Sequence, residues 1–147
     1  MDRATAITYF RKLVPSAQAP KYATEYSAGA DLTSVEEVVI PPGERKLVGT
    51  GIAVEFHVGC AMMLLPRSGL ALNHGVTVLN SPGLVDADYR GEIKVMLVNH
   101  GTIPYKVEIG QRIAQAVLVQ VSYGTWKENE TLADTKRGTG GFGSSGV

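Results

Sequence analysis

Cysteine is nearly missing from this chain: Cys60 stands alone among 147 residues. No intrachain disulfide is available, so the fold must rest on its core, and the natural reading is a reducing compartment, the cytoplasm. In the apolar run before Met62-Met63-Leu64-Leu65, that lone thiol reads as a small buried hydrophobe rather than a nucleophile. Net charge is missing too. Lysine plus arginine equals aspartate plus glutamate at 14 each, which leaves no long-range basic field to hold a nucleic acid. No apolar run approaches the roughly 20 residues of a membrane-spanning helix, and the first residues lack a signal-peptide core. Neither nucleic acid nor membrane is expected as a partner. His57, His74 and His100 share no metal-ligand spacing with one another or with Cys60, which argues against zinc. Helical periodicity is scarce as well, confined to a short turn around residues 68–73.

What the chain does have is strands, turns and glycine. Apolar residues make up 44%, ordinary for one globular domain large enough to bury a core. Glu92 to Val98 alternates, with Ile93, Val95 and Leu97 on one face and Glu92, Lys94 and Met96 on the other. Residues 105–109 alternate again, and 112–121 are apolar on both faces, as a buried layer requires. Further strands are expected at 7–13, 38–40, 47–56, 61–65 and 76–79. Turn chemistry separates them, as in Pro41-Pro42-Gly43, Ser81-Pro82-Gly83 and Asn99-His100-Gly101. Many short strands with almost no helix predict an all-β sandwich or jelly roll over residues 1–128. The apolar pattern fades after Asn129, so 129–147 are expected to form a glycine-rich arm.

That arm carries unusual chemistry. Five of the ten residues 137–146 are glycine, beside one guanidinium (Arg137), one ring (Phe142) and three hydroxyls. These parts can cover a flat ring and wrap a phosphate chain. Gly138-x-Gly140-x-x-Gly143 spells the dinucleotide-binding fingerprint, but no helical pattern follows it, and the fingerprint needs a helix N-terminus facing the pyrophosphate. Elsewhere, Pro66-Arg67-Ser68-Gly69-Leu70-Ala71 interrupts an apolar strand with a charge, a hydroxyl and a glycine, a natural anion cradle. Residues 80–91 crowd Asp86, Asp88, Tyr89 and Arg90 into a link between strands. An aspartate ionised at neutral pH can accept a proton from water, and Asp86, following two apolar residues, suits the edge of a pocket. Asp88, next to Arg90, reads as a solvated or ion-paired turn residue. Ala28-Gly29-Ala30-Asp31-Leu32 and Gly110-Gln111-Arg112-Ile113-Ala114-Gln115 are weaker signals of the same kind.

In this order and spacing, the segments 28–34, 66–71, 80–91, 110–115 and 137–146 resemble the five signature motifs of the trimeric dUTPase family. The similarity runs from about Leu13 onward. Its stretch from His74 to Gly83 is most like the bacterial and phage branch. The resemblance implies a distorted jelly roll with one short helix and a flexible C-terminal arm, assembled as a homotrimer whose active sites are shared between subunits. It implies hydrolysis of dUTP to dUMP and pyrophosphate with Mg²⁺, which keeps uracil out of DNA and supplies dUMP for thymidylate synthesis. By the same resemblance Asp86 is the general base. Asn80, Gly83, Leu84 and Val85 hold the uracil in their hairpin, largely through backbone groups, and Tyr89 stacks on the deoxyribose. Arg67, Ser68, Gly69 and Gln115 line the phosphates, with Lys94 nearby, and Asp31 reaches the metal through water only. Phe142 covers the uracil while Arg137, Gly143 and Ser144 hold the γ-phosphate end. Departures are small: Val85 stands where isoleucine is usual, and Ala30 where an aromatic is common. A dCTP deaminase resembles the family in fold, but would need a glutamate placed to activate water at the ring. A binding protein without catalysis should lack the base or the arm, and a purely structural jelly roll would not load four turns with polar groups.

Overall fold

Short apolar runs punctuated by turns become twelve strands and one helix among the described residues, 6–144, of the computed structural model. In chain order they are β1 (Tyr9–Lys12), β2 (Lys21–Tyr22), β3 (Ala30–Thr33), β4 (Val38–Ile40), β5 (Arg45–Gly49), β6 (Ile52–Glu55) and β7 (Cys60–Leu65). There follow α1 (Ser68–His74), β8 (Val76–Val78), β9 (Gly83–Val85), β10 (Lys94–Asn99), β11 (Tyr105–Val107) and β12 (Arg112–Gln120). The largest sheet runs β2-β3-β12-β7-β9, a second runs β5-β10-β8, and two strand pairs, β1-β6 and β11-β4, complete the framework. Every pairing is antiparallel.

The alternation in 92–98 is realised: Ile93, Val95 and Leu97 are buried while Lys94 is exposed. β12 is the central strand of its sheet, with Ile113, Ala114 and Ala116 buried between β3 and β7. One core joins side chains from β3 to β12, including Leu32, Ile40, Val48, Val76, Val95, Leu97 and Ile113. Cys60 belongs to that core and is free. Two sequence expectations need correction. Residues 47–56 form two strands rather than one, because Gly51 turns the chain at φ +67° between β5 and β6. Ile109, expected inside by alternation, is exposed, since the strand ends at Val107 before the turn at Gly110. Beyond Gln120 no described residue lies in a strand or helix, and Ser145, Gly146 and Val147 of the arm lie outside the described residues.

The end that carries the turns is fastened by a buried amide. Asn99 is fully buried; its Nδ2 donates to the carbonyls of Ile40 (2.9 Å) and Ile103 (2.8 Å), and its Oδ1 accepts from Gly101 N (2.8 Å). One side chain therefore ties β4, β10 and the turn after β10. Gly75 and Gly101 meet beside it so closely that a Cβ on Gly75 would fall 2.6 Å from Gly101 N. Asn99→Ala strands two carbonyls and an N–H at once. We expect a loss of about 3 kcal/mol in unfolding free energy, read from denaturant melts, because an unsatisfied buried group costs roughly 1–3 kcal/mol.

Candidate functional site

The polar segments fall into two clusters on the domain and a third set on the arm. The first cluster is built on β12, whose register sets Gln115 opposite Asp31 on β3 and opposite Leu65 on β7. Gln115 Nε2 donates to Pro66 O at 2.9 Å, which fixes the start of the 66–71 turn. Arg67 follows, and its Nε donates to Asp31 Oδ1 at 3.0 Å. The other oxygen, Oδ2, accepts from Arg112 NH1 at 3.1 Å. The Asp31 side chain is 13% exposed, so this carboxylate is held between two guanidinium groups with little water around it. Gly29 stands against Gln115: a Cβ there would lie 2.4 Å from Oε1, so a side chain would push Gln115 off Pro66. Ser68 and Gly69 open α1 just after Arg67, both exposed. The trio of Asp31 and two arginines keeps a net positive charge, which is what an anion arriving at this turn would meet.

The second cluster is a cleft of about 310 Å³ lined by Leu47, Asn80, Leu84, Asp86, Tyr89 and Lys94, within the lower range of small-ligand pockets. Gly83 and Val85 also line it, as do Ile93 and Glu92. β9 is an edge strand, paired on one side with β7 through Leu64↔Gly83, Met63↔Leu84 and Met62↔Val85. An edge leaves backbone donors and acceptors unpaired on its other side, and here that material borders the cleft. Val85 is buried and Asp86 exposed, so the carboxylate leaves the strand where core gives way to solvent. A turn closes behind it, with Tyr89 N donating to Asp86 O at 3.1 Å. The Tyr89 hydroxyl donates to Glu92 O at 3.0 Å, and a Cβ on Gly91 would fall 2.4 Å from that hydroxyl oxygen. Only glycine at 91 lets the ring lie there.

Asp88 is exposed and has no ion pair with Arg90 among the described contacts. Arg90 instead donates NH1 to Ala87 O (2.7 Å) and faces Glu55 at 4.0 Å, so of the two readings of Asp88 the solvated one holds. Glu92 and Arg112 escaped the sequence reading. Glu92 Oε1 accepts from Gly51 N at 2.9 Å and Oε2 lies 3.4 Å from Lys94 Nζ, so it fastens the cleft wall to the β5–β6 turn. Alternation alone puts Glu92 outside; its place at the cleft follows from Gly51, distant in sequence. Arg112 sat in a polar motif, but only the β3–β12 register brings it to Asp31.

Among the described residues, the arm shares no hydrogen bond with either cluster. Arg137 Nε donates to Gly140 O (2.8 Å), and Gly138, Gly140 and Ser144 donate their N–H groups to residues of the arm itself. Phe142 is fully exposed, at φ +49°, next to Gly143 at φ +91°. At the arm's root, the Tyr123 hydroxyl donates to Val58 O at 2.7 Å.

Among the described residues no group of three or more His, Cys, Asp or Glu could hold a metal ion. No helix among them is long and apolar enough to cross a membrane. Mg²⁺ commonly keeps several waters and is bound through one or two carboxylates plus substrate phosphates. Both Asp31 oxygens are engaged by arginines, so direct coordination of an ion by this carboxylate would have to displace one of them.

Comparison with known proteins agrees with the sequence resemblance. The family described as dUTPase matches residues 15–146. The deoxyuridine 5'-triphosphate nucleotidohydrolase of Nautilia profundicola is 53% identical over 136 residues, covering 92% of this chain and 96% of the relative. The protein of the same name from Helicobacter pylori strain J99 is 53% identical over 137 residues, with 93% and 94% covered. Among solved structures, Staphylococcus bacteriophage 80alpha dUTPase with dUPNHPP is similar at 27% identity and a TM-score of 0.87, covering 97% of this chain and all of that one. The all-β, jelly-roll-like architecture is thus common to both.

Proposed function

The chain belongs to the dUTPase family, and on that premise we propose that it hydrolyses dUTP to dUMP and pyrophosphate in the cytoplasm. The carrying observation is the cleft itself: an edge strand, a carboxylate at the core boundary and a tyrosine ring fixed over Gly91 line one hollow. Uracil lies along β9 between Asn80 and Tyr89, read by the backbone of Gly83, Leu84 and Val85. A cytosine amino group would there face a donor, and such a buried mispairing costs roughly 1–3 kcal/mol. Tyr89, held by Glu92 O, presents its face to the deoxyribose and leaves no room for a 2′-hydroxyl.

Asp86 takes a proton from one water, whose oxygen bonds to the α-phosphorus in line. The bridge from that phosphorus to the β-phosphate oxygen breaks, and pyrophosphate leaves with the electron pair. Arg67, Ser68, Gly69 and Gln115 bind the phosphates, Lys94 stands near the substrate, and the positive Asp31 trio faces the developing charge. Mg²⁺, when bound to the triphosphate, neutralises part of its charge; Asp31 would meet it through water only. Arg137, Gly143 and Ser144 close on the γ-phosphate while Phe142 covers the base.

Among the described residues, the Arg67 cluster, the Asp86 cleft and the arm have no hydrogen bond in common. A homotrimer with shared sites would unite them. The test is turnover of a deoxynucleoside triphosphate panel, followed by pyrophosphate release with and without Mg²⁺, alongside particle mass. We expect turnover of dUTP far above the others, Mg²⁺ dependence and a mass of three chains. Ammonia release from dCTP, or no turnover of dUTP, would overturn the reading.

A further inference from the structure

We infer that Arg112 is a positioning residue for the hydrolysis: it holds Asp31 so that Asp31 can aim Arg67, and it keeps Arg67's charge available to the phosphates. This rests on the reading of Arg67 as a phosphate ligand. Three observations carry it. Asp31 uses a different oxygen for each arginine, Oδ1 for Arg67 Nε and Oδ2 for Arg112 NH1. Its side chain is 13% exposed and that of Arg67 25%, whereas that of Arg112 is 54% exposed. The Arg67 bond engages Nε, which leaves the two terminal nitrogens of that guanidinium as the groups available to an incoming anion.

Geometry and charge act in the same direction. With both oxygens engaged, the carboxylate cannot rotate about its last bond, so the Arg67 fork is fixed in direction. The strand β12 supplies both supports, since Gln115 fixes Pro66 O at the base of the turn and Arg112 fixes the carboxylate above it. Electrostatically, one acid between two cations leaves the trio at +1. Without Arg112 the remaining pair is neutral, and Arg67 offers a phosphate only the field of an ion pair. Lys21 pairs with Asp31 across β2 and β3 and borders the same hollow as Arg112, but it has no ion pair to Asp31 among the described contacts.

The test compares Arg112→Ala and Arg112→Lys with Arg67→Ala and the double alanine variant, in the full chain. For Arg112→Ala we expect kcat/KM on dUTP to fall about tenfold or more, as small misplacements of a positioned group do. Affinity for dUMP, which lacks the outer phosphates, should stay unchanged, and the melting temperature should fall only modestly, because Asp31, 13% exposed, loses one of its two partners while the half-exposed Arg112 leaves little packing behind. Arg112→Lys should recover only part, since an ammonium supplies the charge without the fork. Arg67→Ala with Arg112→Ala should be no worse than Arg67→Ala alone, because Arg112 acts through Arg67. Independently of turnover, the Arg67 Nε–H should exchange with water about tenfold faster in Arg112→Ala by NMR. Activity within about twofold of wild type, losses that multiply in the double variant, or an unaltered Nε–H would each overturn the inference. A wild-type chain that leaves dUTP intact would instead remove the functional reading, and the exchange measurement would still decide whether Arg112 holds the pair.

Discussion

Replacing Asp86 by asparagine is expected to lower kcat on dUTP by about 10²–10⁴-fold, the range that a positioned general base supplies. The substitution is nearly isosteric and removes the basic oxygen alone. Asp86 is exposed and its side chain has no hydrogen bond among those described, so the native fold loses nothing by the change. Unfolding free energy should stay within about 0.5 kcal/mol of wild type, as for surface substitutions away from special features. Binding of dUTP should hold or tighten, because a negative charge near the triphosphate has been removed. Single-turnover kinetics and equilibrium titration together check the three statements. Near-normal kcat in Asp86→Asn would show that another group accepts the proton, and Glu92, the other carboxylate lining the cleft, would be the first to examine.

Glu92 also illustrates what a single sequence can and cannot convey. Period-two alternation is a local signal, and it identified β10, whereas β12 was legible as a run apolar on both faces, as its place between β3 and β7 requires. The short helix was legible from Ser68 onward for the same local reason. β2, β3 and β9 were not read as strands. Two lie in stretches read for their polar motifs, and β2 has only two residues, both exposed; pairing with β3, β12 or β7 makes them strands, not their own periodicity. The break at Gly51 was hidden because a glycine between apolar runs reads equally as strand or turn until φ is known. Residue type singled out Asp86 and Tyr89, and these line one cleft with Lys94, a position taken from the family resemblance. The contacts of Arg112 with Asp31 and of Glu92 with Gly51 were hidden, since they span long sequence separations, 81 and 41 residues. Chemistry was legible where it is local, and orientation was not, because register is set by partners.

Removing residues 137–147 is expected to leave a folded domain with little activity. The hydrogen bonds of Arg137, Gly138, Gly140 and Ser144 are internal to the arm, and none of these joins it to the core, so melting should be nearly unchanged. Activity is another matter. Charge-assisted hydrogen bonds contribute about 1.5–3 kcal/mol each. Losing even two at the γ-phosphate end corresponds to about 10²-fold or more in kcat/KM, at 1.36 kcal/mol per factor of ten. Loss of the Phe142 cover, which excludes water from the closed site, adds to this. Fixing five glycines is entropically costly, which explains why such a segment should order only when a ligand supplies the contacts. The same truncation can locate the arm's target. Coexpressed with Asp86→Asn chains, truncated chains contribute an intact base and the Asp86→Asn chains an intact arm. If the arm reaches a neighbouring subunit, mixed particles contain sites with both parts, and activity returns well above that of either parent. If each arm serves its own chain, every site lacks one part and the mixture stays as inactive as its components. Recovery is the outcome we expect, because the hydrogen bonds of Arg137, Gly138, Gly140 and Ser144 among the described residues stay within the arm and reach neither cluster.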